Sequence, residues 1–237
     1  MFADVTSANV VGYQGLDSNN GYTMMTPTFW VIGNTNGCTL ADLKVTGYTG
    51  NTLGKFRLRL LDEGGHYVDN KTYFWVHNST KCGWYGNAAG TSAVDASKVG
   101  INAGRGVWCE CAADGYKLQS SGQVNESLVV YPANNGYTAM GNCTPVDLTL
   151  ADLSVTGYTG NTLGKFRLRL LDAAGHYVDN KTYFWVHNAT KCGWYGNAAG
   201  TSAVDASKVV ISAGRGLWCE CAADGYQLNI PAPVLSK

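Results

Sequence analysis

The chain reads as an all-β protein of two tandem, near-identical β-sandwich or jelly-roll-like domains, and three observations carry that reading. Residues 43–119 recur at 153–229, and within this stretch only positions 44, 63, 64, 79, 100, 102, 107, 117 and 119 differ from their counterparts. Phe56-Arg57-Leu58-Arg59-Leu60 alternates apolar and charged residues with period two, the signature of a strand with one buried face. The composition, with 30 glycines, 45% apolar and 14% charged residues in 237, supplies turns between apolar runs and leaves helical periodicity in only one short place.

A repeat shift of 110 positions exceeds the roughly 20 to 50 residues of a solenoid unit and matches the size of an independent domain. The expected domains are therefore 1–122 and 123–237. Identity extends to surface positions such as Arg57/Arg167, Arg59/Arg169 and Lys71/Lys181, which core packing does not require. Either the duplication is recent or both copies present the same surface to a partner.

Taken in order, the expected elements are strands and turns. Asp62 to Gly65 turns the chain into His66-Tyr67-Val68, and after Asp69-Asn70 a further strand runs from Lys71 to His77. Val107 to Cys111 is a strand, and Asp114-Gly115 is a hairpin signal leading into Tyr116-Lys117-Leu118. Thr39 to Leu43, with its twin at Thr149 to Leu153, reads as a short helical turn. The copies differ most at their fronts, where five residues within Thr26 to Cys38 have no counterpart, so a contact specific to one copy is expected there. A polar linker, Gln119 to Ser127, leads into the strand Leu128-Val129-Val130-Tyr131, read as the counterpart of Asn9 to Tyr13.

Charge excludes some partners. Seventeen basic and seventeen acidic residues cancel, removing the basic footprint of a nucleic-acid binder and favouring self-association. No run is long and apolar enough for a membrane span. The start, Met1 to Val5, lacks an apolar signal core, so an extracellular chain is expected to have a signal peptide that is not part of this sequence.

Eight cysteines in a Gly-rich β chain predict disulfides formed outside the cytosol. Cys82, Cys109 and Cys111 have twins at Cys192, Cys219 and Cys221, whereas Cys38 and Cys143 are not related by the repeat shift. Cys109 and Cys111 share one strand face at the upper limit of disulfide geometry, so each is expected to take a different partner, Cys82 being one. Bridges within each domain and bridges between chains both fit, with Cys38 and Cys143 as the candidates for the latter. Two-residue spacing as in zinc ribbons is missing, and no metal or cofactor is expected.

Aromatics form the second constellation. Trp75 and Trp185 lie on strands with bulky residues on both faces, and Trp84-Tyr85 and Trp194-Tyr195 sit between glycines. These six are candidates for a sugar platform or a protein interface, unless a second sheet simply covers both faces. His66, His77, His176 and His187 have no ligand spacing. No nucleophile elbow, phosphate loop or dinucleotide fingerprint is present, and the carboxylates Asp62, Asp69, Asp95 and Asp114 are scattered in turns, which does not support a glycosidase pair. No enzymatic activity is expected.

The opening Ser7-Ala8-Asn9-Val10-Val11-Gly12-Tyr13, the run Gly21 to Phe29, Leu60-Leu61-Asp62, Gly83-Trp84-Tyr85, Ala103 to Trp108 and Leu118 to Val124 resemble a loosely defined group of secreted, β-rich proteins of Verrucomicrobia, Planctomycetes and Lentisphaerae. The resemblance implies an exported bacterial protein and transfers no catalytic residues. The second copy departs from it by lacking the Asn-Val-Val-Gly-Tyr opening and the Thr-Pro-Thr-Phe run.

Together these features point to an extracellular structural subunit that assembles head to tail with copies of itself into a filament or tube. Such an open polymer requires that the junction between the two copies is not a closed two-fold. The competing expectation is a bivalent lectin with one glycan site per domain.

Overall fold

The computed structural model describes residues 11–30, 37–61, 67–172 and 177–233. It is all-β. The first copy contributes β1 (Val11–Ser18), β2 (Gly21–Met25), β3 (Phe29–Trp30), β4 (Gly37–Thr39), β5 (Leu43–Thr46), β6 (Phe56–Leu61), β7 (Tyr67–His77), β8 (Cys82–Tyr85), β9 (Gly100–Asn102), β10 (Val107–Cys111) and β11 (Tyr116–Val124). The second contributes β12 (Val129–Ala133), β13 (Gly136–Gly141), β14 (Leu148–Thr149), β15 (Ser154–Thr156), β16 (Phe166–Leu171), β17 (Tyr177–His187), β18 (Cys192–Tyr195), β19 (Val210–Ile211), β20 (Gly216–Cys221) and β21 (Tyr226–Ile230).

Each copy pairs its strands antiparallel in two larger sheets. In the first, β11 is flanked by β1 on one side and by β5 and β3 on the other, while a second sheet runs β10-β6-β7-β8 with β2 alongside β10. The second copy repeats this as β12-β21-β15 and β13-β20-β16-β17-β18. The alternation in Phe56 to Leu60 is realised in β6, where Phe56, Leu58 and Leu60 are buried and the arginines lie on the other face. Leu16, Val45 and Leu118 from one sheet meet Phe56, Leu58 and Cys109 from the other in one apolar cluster, which makes each copy sandwich-like. Burial of such side chains stabilises by about 1.5–3 kcal/mol each.

The helical turn at Thr39 is a single 3-10 turn, Leu40–Asp42, closed by a capping box in which Asp42 Oδ2 accepts from both Thr39 N and Thr39 Oγ1. Three local expectations are corrected. Asp69-Asn70 do not interrupt β7, which is continuous over eleven residues, and the turn expected at 62–66 lies outside the described residues. Asp114-Gly115 joins no hairpin: β10 and β11 belong to different sheets, so the turn carries the chain across the sandwich. The linker is strand as far as Val124, because Gln119 to Gln123 continue the ladder with β1. The same registers show β12 in the place of Gln14 to Ser18, since Gln14↔Ser120 matches Val129↔Ile230 and Ser18↔Tyr116 matches Ala133↔Tyr226.

The copy-specific segment does make a copy-specific contact. Trp30 on β3 pairs with Gln123 and sits in the apolar cluster of the second copy with Val129, Tyr131 and Ile230. Gly122 permits this approach: a Cβ there, at φ +150°, would lie 1.9 Å from the Trp30 carbonyl oxygen.

Candidate functional site

The cysteines are not bridged: all eight are free thiols, six buried and two, Cys82 and Cys192, exposed. Cys82 lies on β8, three strand steps from Cys109 and Cys111 on β10. At about 4.8 Å per step that is roughly 14 Å, twice the reach of a disulfide. The expected intra-domain staples through Cys82, and through Cys192 to Cys219 or Cys221, are thereby corrected. Cys38 and Cys143, the candidates for bridges between chains, are buried within the two cores at 3% and 1% exposure. Cys38 pairs with Ile101 as Leu148 pairs with Ile211, so it fills a core position that the second copy gives to leucine.

The tryptophan platform is also corrected. Trp75, Trp84, Trp185 and Trp194 are 6–8% exposed and pack edge to face in pairs at 5.2 Å. The Trp84 and Trp194 indoles donate to the carbonyls of Leu43 and Leu153 at 2.8 and 2.9 Å, tying the outer strand of one sheet to the facing sheet. Tyr85 and Tyr195 are half-buried under Lys81 and Lys191. His77 and His187 pack at a tilt against Tyr48 and Tyr158; His66 and His176 lie outside the described residues. Asp114 accepts from Asn20 N, and Asp95 binds Ser97 and Lys98.

Sequence reasoning missed the surface at the seam between copies. Contacts there are reciprocal. Met25 bridges Arg215, and its counterpart Met140 bridges Arg105. Thr26 N donates to Gly214 O, and Gly141 N donates to Gly104 O. A Cβ on Gly214 would strike Leu16, and one on Gly104 would strike Tyr131, again matched positions. Trp108 and Trp218, equivalent residues, touch each other at 6.0 Å. An equivalent residue contacting its own twin marks a two-fold, so the junction is isologous and closed.

Across this pseudo-dyad runs a row of four rings. Tyr22 meets Trp108 edge-on at 6.1 Å, Trp108 meets Trp218, and Trp218 meets Tyr137 edge-on at 6.2 Å. Period two explains the placement: in β10 and β20 the cysteines point into the core, which turns Trp108, Glu110, Trp218 and Glu220 outward. Tyr22 and Tyr137 are 45% and 43% exposed, whereas Met24 and Ala139 beneath the row are buried with Leu171 against them.

Each half of the row is flanked by a charged cluster. Glu110 accepts a bidentate pair from Arg57 and a 3.3 Å bond from Arg59; Glu220 does the same with Arg167 and Arg169. Burial works to raise the Glu220 pKa, but hydrogen bonds from Arg167 and Tyr137 outweigh it and hold the carboxyl below its ordinary value. The site therefore offers aromatic surface beside fixed donors and a fixed carboxylate. Among the described residues no cluster of three or more His, Cys, Asp or Glu side chains could hold a metal ion, and no helix is long and apolar enough to cross a membrane. No protein-family model matches the chain, and a search of curated proteins finds no match.

Proposed function

We propose that this is an extracellular, non-catalytic glycan-binding protein whose ligand lies along the row Tyr22-Trp108-Trp218-Tyr137. The observation that carries the reading is the continuity of four partly exposed rings across the seam, flanked by the Arg57-Glu110-Arg59 cluster and its twin. Ring faces and edges pack on the C–H faces of pyranoses, and guanidinium and carboxylate groups bind hydroxyls. Every one of these residues is identical in the two copies apart from the chain positions they occupy, as a shared ligand surface would require. The resemblance to exported bacterial proteins supports the extracellular assignment.

The test is a glycan array followed by titration of a hit. Tyr22→Ala with Tyr137→Ala removes the two outer rings at exposed positions and should weaken binding by about tenfold or more while leaving the fold intact. Unchanged affinity in the double variant, or no hit on the array, would rule the reading out.

A second reading, self-assembly, is favoured by one observation: Cys82 and Cys192 are exposed and occupy equivalent edge strands β8 and β18. The closed seam offers no template for head-to-tail stacking, but ends related by a dyad can join end to end and extend without limit. Dioxygen would accept the two electrons and two protons lost as two such thiols join. Negative-stain images of long polymers, with a gel ladder that collapses on reduction and is lost in Cys82→Ser, would favour this reading over glycan binding.

A further inference from the structure

The seam holds two clefts in dyad-related places, and their chemistry differs. One, of about 470 Å³, is lined by three carboxylates, Asp17, Asp147 and Asp172, with Lys181 and Arg215. The other, of about 530 Å³, is lined by Trp30, Arg105, Leu128, Val130 and Tyr131 and contains no acidic residue among its described lining. Asp17 of the first is replaced by Pro132 in the second, at the matched position of the pairing ladder. Trp30 lies in the stretch Thr26 to Cys38, where the first copy is five residues longer than the second. The clefts are thus where two otherwise near-identical copies have diverged.

Three features of the larger cleft converge on one kind of ligand. Trp30 is 4% exposed, and its indole N–H has no hydrogen-bond partner among the described residues, a state that costs about 1–3 kcal/mol unless an acceptor arrives. The Arg105 guanidinium supplies the cleft's only charge among its described lining residues, and its Nε donates to the Tyr131 hydroxyl at 3.2 Å, which holds the planar group in place. Leu128 and Val130 are 58% and 45% exposed, leaving apolar surface in water at the same cleft. The volume is that of a small-molecule site, where apolar lining and a few placed polar groups set specificity.

We infer that this cleft binds a small amphipathic anion, its acidic head on Arg105 with the Trp30 N–H as a further donor and its apolar body on Leu128 and Val130. The dyad-related cleft, with its carboxylates, repels such a molecule, so one ligand binds per chain.

The probe is anilinonaphthalene sulfonate, an aromatic anion whose fluorescence rises on apolar surface, titrated into the full folded chain. One saturable site per chain is expected. Arg105→Gln and, independently, Leu128→Asp should each weaken it by about tenfold, and Arg215→Gln in the opposite cleft should leave it unchanged. Leu128 is exposed, so that variant decides the matter even if Arg105→Gln fails to fold. Absence of a saturable site, undiminished binding in Leu128→Asp, or equal loss in Arg215→Gln would overturn the inference.

Discussion

In the first copy the Cys111 sulfur lies 2.8 Å from Ser18 Oγ, whereas in the second, where the matched position is Ala133, Cys221 lies 3.6 Å from Cys219 instead. One hydroxyl thus sets the orientation of a buried thiol. Burial also governs reactivity. It pushes Cys38 and Cys143 up to about 12 and Cys111 to about 11, and raises Cys109 and Cys219 well above the ordinary 9.0, so these thiols carry no thiolate at neutral pH. A colorimetric thiol reagent should therefore titrate two groups, Cys82 and Cys192, in the native protein and all eight after denaturation. The same shifts set an alkaline limit. Below pH 9 both folded and unfolded thiols are protonated and contribute nothing to pH dependence. Between 9 and about 12 the unfolded chain has lost protons that the folded chain retains, so stability falls with rising pH by up to roughly 1.4 kcal/mol per unit for each such thiol. Urea midpoints measured across that window should decline steeply; a flat profile would show that the thiols are solvated.

At the scale of elements, β7 and β8 are held by tryptophans rather than by disulfides. Trp75 packs on Trp84, and the Trp84 indole reaches Leu43 O on the facing sheet. Truncating a buried tryptophan costs about 3–5 kcal/mol, so Trp84→Ala should lower the denaturation midpoint far more than Tyr22→Ala, whose ring is 45% exposed. Equal effects would mean that β8 is not tied to the core. The strand period, the apolar alternation in β6, the shared face of Cys109 and Cys111 in β10 and the short helical turn at Thr39 were all legible in the chain, since they depend on neighbours in sequence. The exposure of Trp75 was not. A strand with bulky residues on both faces does not reveal which face meets the second sheet, and the packing of Trp75 against Trp84 within the core of the first copy decided it.

For the whole molecule, the decisive contact is the seam. Gly216 lies against Met24, where a Cβ would come within 2.3 Å of Cγ and 2.9 Å of the backbone carbonyl carbon. Gly216→Val should therefore force the seam apart at a cost of about 1–3 kcal/mol, with the Trp108 and Trp218 emission shifting to the red while far-ultraviolet circular dichroism keeps its β signal. An unshifted emission would show that the seam tolerates the change. The glycan and cleft assignments both rest on this contact, because each surface draws residues from both copies.

The chain by itself determined the all-β class, the repeat, the strand face that Cys109 and Cys111 share, and the place where the copies diverge, because period and self-similarity are local or countable. Only the tertiary structure decided that the thiols are unbridged, that the four repeat tryptophans are core, and that the copies meet about a pseudo-two-fold. Two identical copies can meet head to tail or face to face with the same sequence. The choice lies in which side chains interlock at the seam, where Gly104, Gly141, Gly214 and Gly216 leave room for Tyr131, Thr26, Leu16 and Met24 of the other copy and Trp108 meets its own twin.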